Sequence, residues 1–138
     1  MLIKENFIPE FIEILTTDGW IEIGKFNFKL PLLTIFEDKA EYMSVKMFSH
    51  YLYEGELIEI TTEKYSIFLK PSSCLLVNQT IQEVSKIKKG DKLDKYYLYQ
   101  ETAQVKKGEW QGRVFSLQFN QSVLLPIKFE GDYSLLVI

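Results

Sequence analysis

Apolar and polar residues alternate along most of this chain with a period of two, the spacing of a β-strand. The 3.6-residue spacing of an amphipathic helix is scarce. "FIEILTTDGWIEIGKF" alternates on both sides of Asp18-Gly19, which predicts a hairpin of Phe11–Leu15 and Trp20–Ile23 around that turn. "AEYMSVKMFSHYLY" sets Tyr42, Ser44, Lys46, Phe48, His50 and Leu52 on one face and Met43, Val45, Met47, Ser49, Tyr51 and Tyr53 on the other. That pattern predicts one long, largely covered strand. "ELIEITTE" and "YSIFLK" flank Glu63-Lys64 as a second hairpin, and "SCLLVN" and "TIQEVSKI" flank Asn78-Gln79 as a third. "KKGDKL" reads as a turn, and "YYLYQETAQVKK" and "RVFSLQFN" add strands on either side of Gly108 and Gly112. One helical turn before Gly90 is the most helix that "EVSKIKKGDKL" can hold. The apolar ending "DYSLLVI" predicts a docked C-terminal strand.

Two stretches recur. "YEGELIEI" (Tyr53–Ile60) matches "WQGRVFSL" (Trp110–Leu117) at an offset of 57 residues, and "WIEIGKF" (Trp20–Phe26) matches "IQEVSKI" (Ile81–Ile87) at an offset of 61. Two matches in the same order at nearly equal offset predict two halves that repeat one strand plan.

Composition narrows the class. The 138 residues have the length of one domain, with no low-complexity linker to divide them. Ten Phe, eight Tyr and two Trp suit a β-rich core. Net charge is only −3, and apart from short pieces such as Lys86–Lys89 the cations are interleaved with acids. The electrostatic footprint of a nucleic-acid binder is therefore missing. One cysteine permits no intrachain disulfide, which fits a reducing compartment. "MLIKENFIPEF" lacks the apolar core of a signal peptide, and no run approaches 18 apolar residues. These features lead to the expectation of a soluble protein, cytoplasmic at synthesis, with no membrane partner.

In order, "ILTTDGWIEIGKF", "YEGELIEITTEKYSIFLKPSSCLLV", "IQEVSKIKKGDKL" and "GRVFSLQF" resemble the Hedgehog/intein (Hint) superfamily, over roughly Phe7 to Leu117. The resemblance implies an all-β, flattened, disc-like fold with pseudo-two-fold internal symmetry and little or no helix. It also implies one Hint-like domain over 1–138 with half-repeats at roughly 7–68 and 69–138. Family members process themselves. A Cys or Ser at the domain start attacks the preceding carbonyl, a Thr-x-x-His polarises and protonates the scissile amide, and inteins end in His-Asn. Carried over position by position, the start falls on Phe7, which has no nucleophilic atom. The Thr-x-x-His stretch becomes Lys70-Pro71-Ser72-Ser73, and the sequence ends Val137-Ile138 where an intein has His-Asn, so no following segment is expected to be spliced. Phe7, Lys70, Ser73 and Ile138 are therefore expected to be degenerate site positions, and the chain to be an inactive Hint relative rather than an enzyme.

Other candidate chemistry is thin. Cys74 would need a base, and the only histidine, His50, lies 24 residues earlier on a strand. A lone cysteine is more often a buried apolar residue. No second His or Cys completes a soft metal site, so neither metal nor cofactor is expected. Asp18 and Asp91 sit in glycine turns as turn formers, and Glu54 and Glu56 alternate along a strand as a solvated face. No phosphate loop, HExxH or GxSxG is present. The aromatic and Met excess exceeds what one face buries, which makes Tyr42, Met43, Met47, Phe48, Tyr51, Tyr53, Tyr96, Tyr97 and Tyr99 interface candidates. Leu135, Leu136 and Val137 join them as a terminal edge open to β-augmentation. The expected function is a structural or protein-interaction module among other protein subunits, homo- or hetero-oligomeric. A phage virion is one such assembly, by analogy alone. The rival is an enzyme with residual autoprocessing or thiol chemistry at Ser72, Ser73 or Cys74.

Overall fold

The computed structural model describes residues 7–61, 66–94, 100–102, 104–129 and 132–138. In chain order the strands are β1 (Phe7–Pro9), β2 (Glu13–Thr16), β3 (Gly19–Glu22), β4 (Leu32–Phe36), β5 (Lys39–Met43), β6 (Met47–Thr61), β7 (Ser66–Leu69), β8 (Cys74–Val77), β9 (Thr80–Glu83), β10 (Lys92–Asp94), β11 (Gln100–Thr102), β12 (Gln104–Gln118), β13 (Leu124–Phe129) and β14 (Asp132–Val137). Helix among the described residues amounts to two single 3-10 turns, Ile23–Lys25 and Val84–Lys86. Every strand pairing described is antiparallel. A four-stranded sheet runs β1-β12-β6-β7, and the larger sheet runs β11-β10-β8-β14-β13-β2-β4-β5, with β3 on β2 and β9 on β8.

β6 and β12 form a 15-residue ribbon, paired from Met47↔Gln118 to Thr61↔Gln104. The N-terminal two-thirds of each strand is mostly exposed and the C-terminal third mostly buried, with adjacent residues Leu57-Ile58 and Val114-Phe115 buried on both faces. This is where β7 and β1 flank the ribbon, pairing with Ile58–Thr61 and Val114–Ser116. The core joins Ile8, Ile14, Ile60, Leu75, Leu117, Leu125 and Leu136, which connects both sheets and the C-terminal hairpin.

The internal repeat reaches the level of single hydrogen bonds. Ile12 N–H donates to the Pro9 carbonyl at 3.1 Å, and Ser73 N–H to the Lys70 carbonyl at 3.0 Å. Ile23 N–H donates to Ile12 O at 2.8 Å, and Val84 N–H to Ser73 O at 2.7 Å. Gly24 N–H donates to Glu10 O and Ser85 N–H to Pro71 O, both at 3.0 Å. Phe7 faces Ser116 across β1 and β12, just as Phe68 faces Glu59 across β7 and β6. The all-β, pseudo-two-fold expectation holds.

Several local expectations are corrected. The run from Tyr42 to Tyr53 is not one strand. It breaks at residues 44–46, where the chain leaves β5 in the larger sheet and enters β6 in the smaller one, tied by Lys46 N–H to Gln118 O at 2.7 Å. Nor is it largely covered, since Tyr51 and Leu52 are both exposed although they point to opposite faces. Gly108 and Gly112 do not separate strands, because β12 runs through both. β14 is not an edge: it lies between β13 and β8, and Leu135, Leu136 and Val137 are buried. Tyr96, Tyr97, Tyr99 and the Glu63-Lys64 turn lie outside the described residues.

Candidate functional site

Ser73 ends the turn that leads from β7 into β8. Main-chain bonds to Lys70 and Val84 fix its backbone, and its side chain is wholly buried. Its Oγ donates to the carbonyl of Phe7 at 3.2 Å, a contact between residues 66 positions apart. Phe7 opens β1, and its ring meets Tyr51 edge-on at 5.0 Å between centroids. The Lys70 ammonium lies 4.0 Å from the centroid of Phe7, 4.5 Å from Tyr53 and 5.3 Å from Tyr51, and donates to the Tyr51 hydroxyl at 2.7 Å. Tyr51 and Tyr53 share this face because they are two apart on β6. Lys70 is therefore held over the Phe7 and Tyr53 rings, a cation–π arrangement, and by the Tyr51 hydroxyl.

The topology thus brings Phe7, Lys70 and Ser73 together. Leu136 pairs with Leu75, and extending that antiparallel register sets Val137 beside Cys74 and Ile138 level with Ser73. Ile138 and Val123 exchange main-chain bonds of 2.9 Å in both directions. Cys74 is buried, with its Sγ 3.8 Å from the Ser72 carbonyl. His50 belongs elsewhere. Its Nδ1 lies 2.8 Å from Arg113 Nη1, so it accepts from that guanidinium, and its ring packs on Phe48 and Phe115 on the ribbon face opposite Tyr51. Asp91 Oδ2 accepts Lys88 N–H at 2.9 Å beside Gly90, and the Thr16 hydroxyl accepts Asp18 N–H at 3.1 Å, so both turns close locally. No group of three or more metal-ligating side chains occurs among the described residues, and no helix described is long and apolar enough to cross a membrane.

Of the interface candidates, Tyr42 and Met47 are 45% and 57% exposed, and Met43, Phe48 and Tyr53 are half-buried. Phe48 stacks on Phe115 at 5.5 Å and meets Phe26 edge-on, so it belongs to the core wall. Leu52, at 70% exposure, and Ile81 are exposed apolar residues that strand alternation did not single out. The Lys70 cage also escaped the sequence reading, although a Tyr-x-Tyr on one strand face was its visible half.

Two expectations follow from this geometry. Ser73→Ala removes one hydroxyl-to-carbonyl bond and is expected to lower stability by about 0.5–1.5 kcal/mol in a urea titration. Burial of the Tyr53 phenol, with Tyr51, Glu109 and Glu56 adding to it, raises its pKa above 10.0, while its hydroxyl donates to the Glu56 carbonyl at 2.8 Å. The fold then favours the neutral phenol. Its contribution is complete below pH 10 and is lost as the pH rises through the raised folded value. Thermal unfolding midpoints are expected to fall above pH 10, and Tyr53→Phe to flatten that fall.

No protein-family model matches the sequence, and no curated protein matches it. Solved structures do. A mini-intein variant of Ssp DnaB superposes with a TM-score of 0.76 at 12% identity, covering 100% of this chain and 99% of that one. An intein-like domain from Clostridium thermocellum gives 0.72 at 19% identity, with 99% of each chain covered. The Mvu transcription factor IIB mini-intein gives 0.73 at 14%, covering 94% of this chain and 99% of its own. At such identities the likeness is one of fold. With the antiparallel all-β architecture and its internal two-fold, it shows that this chain has the intein-like, Hint fold.

Proposed function

We propose that this chain is a non-catalytic structural and protein-interaction module derived from a self-processing Hint domain, and that it serves as a subunit of a larger assembly such as a phage virion. The observation that carries this reading is the contact of Ser73 and Lys70 with Phe7. An N-to-S or N-to-O acyl shift needs a nucleophilic atom on the first residue, and a phenyl ring has none. Protonating a leaving amide needs an acid such as an imidazolium, and a neutral serine hydroxyl is a poor substitute at neutral pH. The same three side chains are well suited to fastening β1 onto the ribbon through one hydrogen bond and one cation–π contact. Tyr42, Met47 and Leu52 supply exposed apolar area of the kind that interface cores use. The chain would be cytoplasmic at synthesis and would then join its assembly. It would need no cofactor.

The reading is tested by thiol titration and light scattering on the purified chain. Cys74 is expected to react with an aromatic disulfide far more slowly in buffer than in urea, and the scattering mass to exceed one subunit alone or with its partner. A fast-reacting native thiol would favour residual chemistry at Ser72, Ser73 or Cys74. A strict monomer under every condition would count against the assembly.

A further inference from the structure

The ribbon leaves one side of β6 uncovered. β12 pairs with the whole of β6, but on the other side β7 reaches only Ile58–Thr61. From Met47 to Leu57, no strand or main-chain bond among the described residues covers that side. An edge of this length invites pairing with another chain unless charge blunts it. The equivalent stretch of β12 carries Lys106 and Lys107, whereas Met47–Leu57 contains neither Lys nor Arg. The middle residue of the uncovered run is Leu52, which is 70% exposed.

We propose that this edge pairs with the same edge of a second copy of the chain, antiparallel, about a two-fold axis at Leu52. An isologous contact requires a surface complementary to itself, and this register supplies one. Leu52 meets Leu52 of the second copy, Tyr51 meets Tyr53, and His50 meets Glu54. Each facing pair lies on one face of the joined sheet, because residues an even number apart share a face. Moving the axis by one residue either way sets Leu52 against His50 or Glu54 instead. The His50–Glu54 contact is prepared within each copy. Arg113 Nη1 donates to His50 Nδ1 at 2.8 Å, so the ring keeps its proton on Nε2 as a donor for a carboxylate. Arg113 faces Leu52 across the ribbon, which sets its cation on the same face as the incoming Glu54. In its own chain Glu54 faces Gln111. A contact limited to Phe48–Glu56 is small, so the dimer is weak and a dilute chain is monomeric. The proposal deepens the assembly reading by naming a second copy as the partner, and rests on that reading.

The test is sedimentation equilibrium of the full chain at rising concentration, together with oxidative cross-linking of cysteine variants. The mean mass is expected to rise from one subunit towards two and to stop there. Glu54→Gln is expected to weaken the dimer by about two- to thirtyfold, since the axis repeats each cross-strand pair. Leu52→Lys sets two like charges on the axis and is expected to leave a monomer. Leu52→Cys is expected to cross-link to its own copy on mild oxidation, because directly opposed strand residues fall within disulfide reach. Ser49→Cys stands about 20 Å from its symmetry mate and is expected to stay uncoupled. Both cysteine positions are exposed, so both variants should fold. A monomer at every concentration, equal cross-linking of the two variants, or an intact Leu52→Lys dimer would each overturn the proposal. The two readings fail separately. A chain that multimerises through another face, or only with a different partner, loses this edge and keeps the assembly. A chain that dimerises here and yet cleaves itself loses the inactive-module reading alone.

Discussion

Leu136→Ala is expected to lower the free energy of unfolding by about 2–5 kcal/mol, the largest effect among single changes considered for this chain. Leu136 is wholly buried and pairs with Leu125 on one side and Leu75 on the other. Truncation removes apolar contact at the one residue where β14 pairs with β8. It also leaves a cavity that main-chain pairing on both flanks prevents from collapsing. The C-terminal hairpin carries Ile138 and the main-chain exchange with Val123, so its loosening should also raise amide exchange in Val123 and Ile138. Leu52→Ala, at an exposed position, is the control and is expected to stay within about 0.5 kcal/mol of the parent. Urea titration of both variants makes the comparison. Equal, small effects would mean that β14 is not an integral part of the sheet.

The second large effect lies on the ribbon. Gly112→Ala is expected to cost about 1–3 kcal/mol, because its Cβ would come within 2.3 Å of the Trp110 indole. That ring cannot swing away cheaply, since it also packs edge-on against Phe11 at 5.7 Å. Gly55→Ala meets only the far end of Tyr53, at 2.8 Å from its hydroxyl, and should cost less, chiefly by disturbing the bond to the Glu56 carbonyl. Gly108→Ala meets nothing and, by removing strand-interior glycine, is expected to stabilise by about 0.5–1 kcal/mol. Three glycines on one ribbon thus separate by what lies above them. Thermal melts of the three variants, ranked Gly108→Ala, Gly55→Ala, Gly112→Ala from most to least stable, would check this.

That ranking also explains the recurring aromatic-x-Gly motif. In Tyr53-Glu54-Gly55 and Trp110-Gln111-Gly112, the ring folds over the glycine two residues on, so the spacing records a packing relation rather than a turn. Alternation in the sequence is enough to read the strands of the first and third hairpins, and the two recurring stretches are enough to read the two-fold. It could not show where a strand changes sheets. Nothing in "YMSVKMF" interrupts the period, yet residues 44–46 carry the chain from β5 to β6. The β4–β5 hairpin went unread because its turn uses Glu37 and Asp38, both at positive φ (50° and 62°), without the Asn-Gly or Asp-Gly signal that usually marks such a turn. The terminal strand reads as an edge because composition cannot reveal that its second neighbour, β8, comes from a distant part of the chain and covers the side that the β13–β14 hairpin leaves open.

The candidate site was legible only through resemblance. Phe7 and Ser73 are 66 residues apart, and no local pattern joins them. The Lys70 cage depends on strand pairing that brings Tyr51 and Tyr53 beside β1.

On the proposed function, the Phe7 position holds the chain together rather than cutting it. Intact-mass spectrometry of the purified chain, incubated for days at neutral pH with and without added thiol, tests this most directly. One undiminished mass under both conditions is the predicted result. A species that has lost residues 1–6, beginning at Phe7, would contradict it.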